Sequence, residues 1–190
     1  MEQPAVVLGI VDGLHDAGAA LVAEGRIVAA ANEERFARVK LQGGMPRLSI
    51  EAVLACAGRT YADVDAIAVG GKATPTLATR VVRPLQRVYG PSLGICFDRP
   101  WHPVDRIGDR VRYRLALTRA RSDRGLGKAE GRLAAPVVRR GLPKALRDKP
   151  LYFVDHHLAH AESAWRTAGD GAWLVLTADA HGDGRSLTVH

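Results

Sequence analysis

The sequence predicts an α/β protein with strands and helices in the order βββαβαβα, and three observations carry that expectation. Short apolar runs end in polar or glycine-containing turns; a segment of helical spacing follows the first three runs; and two later runs alternate with helical patterns. The chain closes on a further strand, RSLTV, which leads to the expectation that the architecture is incomplete at the C-terminus, because a terminal strand without neighbours leaves an unprotected edge.

The elements follow in order. AVVLGI at 5–10 is a strand ended by the polar turn VDGLHDAG, and AALVAEGRIVAAANEER reads as two strands joined at Glu24-Gly25, completing a three-strand meander. Ser49 is the expected N-cap of a helix in which Ile50, Val53, Leu54 and Ala57 recur at helical spacing until Gly58. DAIAVGG is a buried strand closed by a glycine pair, the kind of ending that feeds a ligand-facing loop in α/β sheets. LYFVD is the next strand, and HHLAHAESAWRTA is a helix with Leu158, Ala161, Ala164 and Trp165 as its apolar stripe, ended by Gly169 or Gly171. WLVLTAD is then a buried strand and AHGDG a turn.

Between these halves the pattern degrades. From 74 to 150 prolines stand at 75, 84, 91, 100, 103, 136, 143 and 150, and arginines scatter without a clean apolar face. This stretch is expected to be a poorly ordered insertion or arm, with one helix over 104–120. Residues 72–149 hold 19 Lys plus Arg against 6 Asp plus Glu, so the net charge of +7 is a basic middle between acidic flanks. Such a middle suits a solvated surface or an anionic partner; nucleic acid is not expected, because its few aromatic residues do not interleave with the basic ones in the manner of single-strand binders.

Other classes are narrowed by what the chain contains. Its N-terminus has neither a basic n-region nor a small-residue cleavage site, and no apolar run reaches the roughly 18 residues that span a bilayer. A cytoplasmic protein without a membrane span is expected. Cys56 and Cys96 stand apart without a CxxC pattern, so buried, reduced thiols are expected in place of a disulfide or cysteine metal site.

Chemistry concentrates in two places. In FVDHHLAHAESAW, His156 and His160 are four apart and share one helical face, while His157 points elsewhere. Asp179 ends the next strand, where sheet carboxyl ends gather ligands. Two imidazoles and a carboxylate suit iron(II), zinc or manganese; a solvated helix start is the alternative. The turn GIVDGLHDAGAAL presents Asp12, His15 and Asp16 among glycines, and its amides suit an anion such as phosphate, although such a sequence also makes an ordinary turn. DAHGDG, with Gly182 and Gly184, has the same two readings. The charges of NEERFARVK, including Arg38 and Lys40, either reach a substrate or face water.

Taken together, the stretches VLGIVDGLHDAGAALVAEGRIVAAANEERFARVK, DAIAVGG, DHHLAHAESAW and WLVLTADAHGDGRSLTV resemble the carbamoyltransferases of antibiotic and nodulation-factor biosynthesis, the family of the tobramycin, cephamycin and Nod-factor enzymes. The resemblance covers 5–70 and 151–190. It implies an actin-like ATPase (ribonuclease H-like) fold, with 1–190 forming the N-terminal lobe and the first strands of a second lobe, and 74–150 an insertion. It further implies that His156, His160 and Asp179 bind iron(II), and that His15 assists transfer as a base or by orienting the carbamoyl group. Asp12, Asp16, Arg38, Lys40, Gly182 and Gly184 become candidate substrate or phosphate contacts.

The implied reaction makes carbamoyladenylate from carbamoyl phosphate and ATP, then transfers the carbamoyl group to a hydroxyl of a small-molecule or glycan acceptor. A second lobe and a carbamoyladenylate-forming domain, in cis or on a separate chain, are implied partners, so this chain is expected to be inactive alone. The sequence departs from the family in having Asp179-Ala180 where Asp-Gly is usual. A truncated non-catalytic partner and an actin-like ATP-dependent phosphotransferase are the alternative readings.

Overall fold

The computed structural model describes residues 5–13, 16–71, 126–182 and 185–190. The fold is mixed α/β. A five-stranded sheet is built from β1 (Val7–Val11), β2 (Gly18–Ala23), β3 (Arg26–Asn32), β4 (Ala66–Gly70) and β5 (Leu151–Val154), in the spatial order β3-β2-β1-β4-β5. Helices α1 (Glu34–Ala37) and α2 (Arg47–Cys56) follow β3, α3 (Leu126–Gly141) precedes β5, and α4 (His156–Thr167) follows it. A separate two-stranded hairpin, β6 (Leu176–Gly182) and β7 (Arg185–Val189), comes last. Relative to the expected βββαβαβα, the described chain adds the short α1; the two strands expected after the last helix, at WLVLTAD and RSLTV, pair with each other as the terminal hairpin, and the helix expected over 104–120 lies outside the described residues.

The meander forms where alternation and turn chemistry agree. Glu24 and Gly25, at φ 55° and 71°, fill the two-residue loop between the paired residues Ala23 and Arg26. Two positive φ values give a turn whose twist matches that of the strands it joins. Gly18 opens β2 because a Cβ there would lie 2.9 Å from the Ala31 carbonyl oxygen on β3, closer than the sheet permits.

The core is assembled in rows across the sheet. Register places Leu21, Leu8, Ile67 and Leu151 side by side, and Ala19, Ile10, Val69 and Phe153 in the next row. These rows pack with Ile50, Val53 and Leu54 of α2 and with Val138, Leu142 and Leu146. Parallel strands need crossovers; α2, in the crossover from β1 to β4, packs against β2 and β3, and its Ile50, Val53 and Leu54, with Val138 of α3, join the same core cluster as the residues of β1 and β4.

The basic stretch therefore differs from the expected loose arm in its last third; residues 74–125 lie outside the described residues. From Leu126 to Gly141 it is a helix in which Ala134 and Val138 are no more than 1% exposed, and the four-residue spacing of buried residues continues past its end at Leu142 and at Leu146 in the turn Lys144–Leu146. Pro136 inside α3 and the arginines around it mask this stripe. Arginines from inside and outside the stretch serve the helix end: Arg147 donates to the carbonyls of Leu142 and Arg140, and Arg47 of α2 to the Gly141 carbonyl. Last-turn carbonyls have no intrahelical partners, and guanidinium groups satisfy them while favouring the negative end of the helix dipole.

Other details also differ from expectation. Ser49 lies inside the first turn of α2, not at its N-cap, because the buried Glu33 takes the capping role from outside the helix. Its carboxylate accepts from the amides of Leu48 at 3.1 Å and Ser49 at 2.8 Å, and from the Ser49 hydroxyl at 2.8 Å. Cys56 is exposed, because it falls on the outer face of the last turn of α2. Only Ala161 of the expected α4 stripe is buried, and Leu158 and Trp165 are exposed. The strand expected at WLVLTAD begins later and runs through Ala180 to Gly182, with Leu176 61% exposed. No helix among the described residues is long and apolar enough to cross a membrane.

Glu33→Ala strips three donors at the start of α2 of their acceptor. It is expected to lower unfolding free energy by about 1–3 kcal/mol. Urea unfolding followed by far-ultraviolet circular dichroism measures it.

Candidate metal centre

Parallel pairing of β1 with β4 and of β4 with β5 brings three strand ends to one edge of the sheet. The chain leaves β1 at Asp12, β4 at Gly71 and β5 at Asp155. Carboxyl ends of parallel strands are the usual location of α/β sites. Gly71 turns away at φ 90°, and its amide donates to the Val154 carbonyl at 2.8 Å, holding the exits of β4 and β5 together.

The first loop is partly occupied by its own contacts. Asp12 is buried, Gly13 accepts from the Gly44 amide at 2.9 Å, and Ala17 donates to the Gln42 carbonyl at 2.8 Å. The Ala17 amide is thereby committed to the 42–44 segment and is not offered to an anion. Asp16 sits at φ 53° on the exposed side of the turn. His15 lies outside the described residues, as does Gly184.

After β5 the chain enters α4 without a linker. Asp155 is its N-cap: an extended backbone and a side chain accepting from the Leu158 amide at 3.1 Å start the helix at His156. The cap thus fixes where in the helix the histidines fall. His156 and His160, one turn apart, both face Asp179 on β6.

Their donor atoms form a small triangle. His156 Nε2 lies 2.6 Å from Asp179 Oδ2 and 3.1 Å from His160 Nε2, and His160 Nε2 lies 3.6 Å from Asp179 Oδ2. The ring nitrogen of His156 has one in-plane site, yet it faces two partners within hydrogen-bond range; a proton serves only one of them well. A cation serves all three. Ligands about 2.0–2.2 Å from a metal ion stand about 3.0–3.5 Å apart, and the triangle spans that range. His156 and Asp179 are about one-quarter to one-third exposed and His160 is more than half exposed, so the group opens to solvent on the His160 side. The residues present therefore fit a metal ion with open coordination positions.

The remaining candidates lie elsewhere or serve the fold. Arg38 is the left-handed cap of α1 at φ 56°, and exposed Lys40 pairs with Glu34 at 3.3 Å. The Glu34 carboxyl is held below its ordinary range, first by the Leu41 amide and then by Lys40. Gly182 pairs with Arg185 at the hairpin end. Two residues missed by sequence reasoning contact the group's scaffold: buried His157, and Thr177 on β6. Strand alternation from Asp179 back to Thr177 was the available signal.

The sequence model of the family described as Carbamoyltransferase N-terminus matches residues 6–185. The chain belongs to this carbamoyltransferase family. Among curated relatives, it is 27% identical over 175 residues to nodulation protein NolNO of Sinorhizobium fredii (strain NBRC 101917 / NGR234), a match covering 90% of this chain and 20% of that protein. It is 30% identical over 196 aligned positions to the uncharacterized protein sll1178 of Synechocystis sp. (strain ATCC 27184 / PCC 6803 / Kazusa), covering 97% of this chain and 28% of that one. This carbamoyltransferase-family chain thus spans less than a third of the length of either relative.

Among solved structures, YeaZ from Pseudomonas aeruginosa aligns at a TM-score of 0.36 and 18% identity, covering 98% of this chain and 64% of that one. A protein described as similar to peptidase YEAZ from the same organism aligns at 0.38 and 16%, covering 98% and 63%. Similarity of that degree does not establish a common fold, and the family membership rests on the sequence match.

Asp155→Ala removes the α4 cap and is expected to cost about 0.5–2 kcal/mol of stability. Asp155→Asn, which keeps an acceptor oxygen, is expected to retain most of it. Denaturant midpoints of the two variants measured side by side check this.

Proposed function

We propose that the chain is the N-terminal part of a metal-dependent O-carbamoyltransferase. It acts with a second lobe and a carbamoyladenylate-forming domain supplied in cis or by another chain. The observation that carries this reading is the convergence of His156, His160 and Asp179 on one point, in a chain that belongs to the carbamoyltransferase family.

In this reading the fold is an actin-like lobe, and carbamoyladenylate is made from carbamoyl phosphate and ATP outside this chain. The acceptor is a hydroxyl of a small molecule or glycan. Its oxygen attacks the carbamoyl carbon, the bond from that carbon to the adenylate phosphate oxygen breaks, and AMP leaves. His15 takes the hydroxyl proton.

His156, His160 and Asp179 would hold the metal, iron(II) in the first place, with zinc and manganese compatible with the same donors. When bound, the ion supplies Lewis-acid polarisation and an anchor for the mixed anhydride. The protein side chains contribute placement. Asp155 fixes the start of α4, the i, i+4 spacing aligns the imidazoles, and Asp179 closes the triangle from the neighbouring strand. Asp12, Asp16, Arg38, Lys40, Gly182 and Gly184 are the remaining candidates for substrate or phosphate contacts once the other domains are in place, with Arg38 and Lys40 the cations among them. Positioning donor and acceptor together replaces a bimolecular encounter with an intramolecular one.

Anaerobic calorimetry of the chain with iron(II) is expected to give one equivalent, lost in His156→Ala/His160→Ala. In the longer gene product, or in a reconstituted complex, the same double variant is expected to lower carbamoyl transfer by at least about a hundredfold. Unchanged transfer would reject the proposal. ATP hydrolysis independent of carbamoyl phosphate would favour a phosphotransferase instead.

A further inference from the structure

The hairpin that carries Asp179 is weakly held. Among the described residues it shares no ladder with the five-stranded sheet, and Leu176, Leu187 and Val189 are 61%, 56% and 60% exposed. An isolated two-stranded hairpin is marginal in water. Its own ladder also fails to fix the residue that matters. β6 pairs regularly with β7 at Leu176, Thr177 and Ala178; the register then shifts, and regular pairing returns only at Gly182. Asp179 falls inside that irregular segment.

Yet Asp179 reaches His156 at 2.6 Å, so something must hold β6 just before the irregularity. Thr177 is the second-last regular pair. It lies two residues before Asp179, on the same face of the strand, and its hydroxyl lies 2.7 Å from His157 Nδ1. His157 is fully buried and Thr177 is 6% exposed. The contact continues outward: Thr177 Oγ1 lies 2.6 Å from Thr188 Oγ1, which lies 2.7 Å from His190 Nε2. A proton arrangement running uniformly in either direction satisfies all three contacts, with each hydroxyl donating once and accepting once.

We propose that His157 is a positioning residue: through Thr177 and Thr188 it locks the hairpin onto α4 and presents Asp179 to His156 and His160. Consecutive residues of one helical turn thereby grip β6 at two points on one face, His157 at Thr177 and His156 at Asp179. A slip of β6 by one residue would turn both side chains away. The hydroxyl of Thr177 is the specific requirement, because a methyl group cannot hydrogen-bond His157 Nδ1. This inference rests on the proposed metal site for its consequence, but the lock is a property of the metal-free chain.

Two measurements on the 190-residue chain separate the lock from the metal reading. The first is amide hydrogen exchange of the metal-free chain, resolved for 176–182 and for 18–23. Thr177→Val, which removes the hydroxyl at nearly constant volume, is expected to speed exchange at 176–182 at least about tenfold and to leave 18–23 within about twofold. Thr177→Ser is expected to match the parent. The second is titration with cobalt(II) alone, read by the visible absorption of the bound ion. Thr177→Val is expected to weaken binding about tenfold and alter the spectrum, with Thr177→Ser restoring both.

Exchange and cobalt binding unchanged in Thr177→Val would overturn the proposal, and so would equal impairment in Thr177→Ser. If the parent binds no cobalt, the metal reading fails, and exchange alone still decides whether the lock exists. Should Thr177→Val lose protection throughout, Thr188→Val removes the outer contact at a half-buried position. It is expected to speed exchange at 176–182 by about threefold, and no change there would count against the lock.

Discussion

Parallel pairing of β4 between β1 and β5 is the constraint on which the rest depends. It forces three successive chain exits to one edge of the sheet and requires helical crossovers to return the chain. Those crossovers supply the apolar faces that bury Leu8, Ile67 and Val69. The same arrangement delivers Asp155, and with it the first turn of α4, to the edge where the candidate metal group stands. Core and site are therefore two consequences of one pairing.

Charge in this protein is mostly structural where the residues are described. Glu33 serves the N-terminus of α2, Arg47 and Arg147 serve the C-terminus of α3, and Lys40 pairs with Glu34. Glu33, Arg47 and Arg147 satisfy backbone groups at helix ends, and Glu34, besides pairing with Lys40, accepts from the Leu41 amide. The convergence of His156, His160 and Asp179 is of another kind. One ring nitrogen is shared between two partners, an arrangement that stabilises no helix end and that a cation would complete.

Much of the fold was legible because local signals agreed with it. Glu24-Gly25 marks a two-residue turn, the short apolar run of 5–10 with its polar turn marks a strand, and DAIAVGG marks a buried strand with a glycine exit. The i, i+4 histidines were legible as candidates for the same reason: helix geometry alone places them on one face. What could not be read depended on distant partners. Glu33 reads as one charge among several in NEERFARVK, and only the tertiary approach of α2 turns it into a cap. In α3, Pro136 and the arginines obscured a buried stripe whose core cluster includes Ile50, Val53 and Leu54 of α2, far earlier in the chain. His157 reads as the odd histidine of three, and its importance arises from Thr177, twenty positions later.

The central claim, that the three donors hold one ion, is tested most directly by X-ray absorption at the metal edge on the iron(II)-loaded chain. It is to be compared with the His156→Ala/His160→Ala variant. The account predicts two imidazole nitrogens and at least one oxygen at about 2.0–2.2 Å in the parent, with the imidazole scattering lost in the variant. An all-oxygen shell in the parent, or imidazole scattering that survives the double substitution, would contradict it.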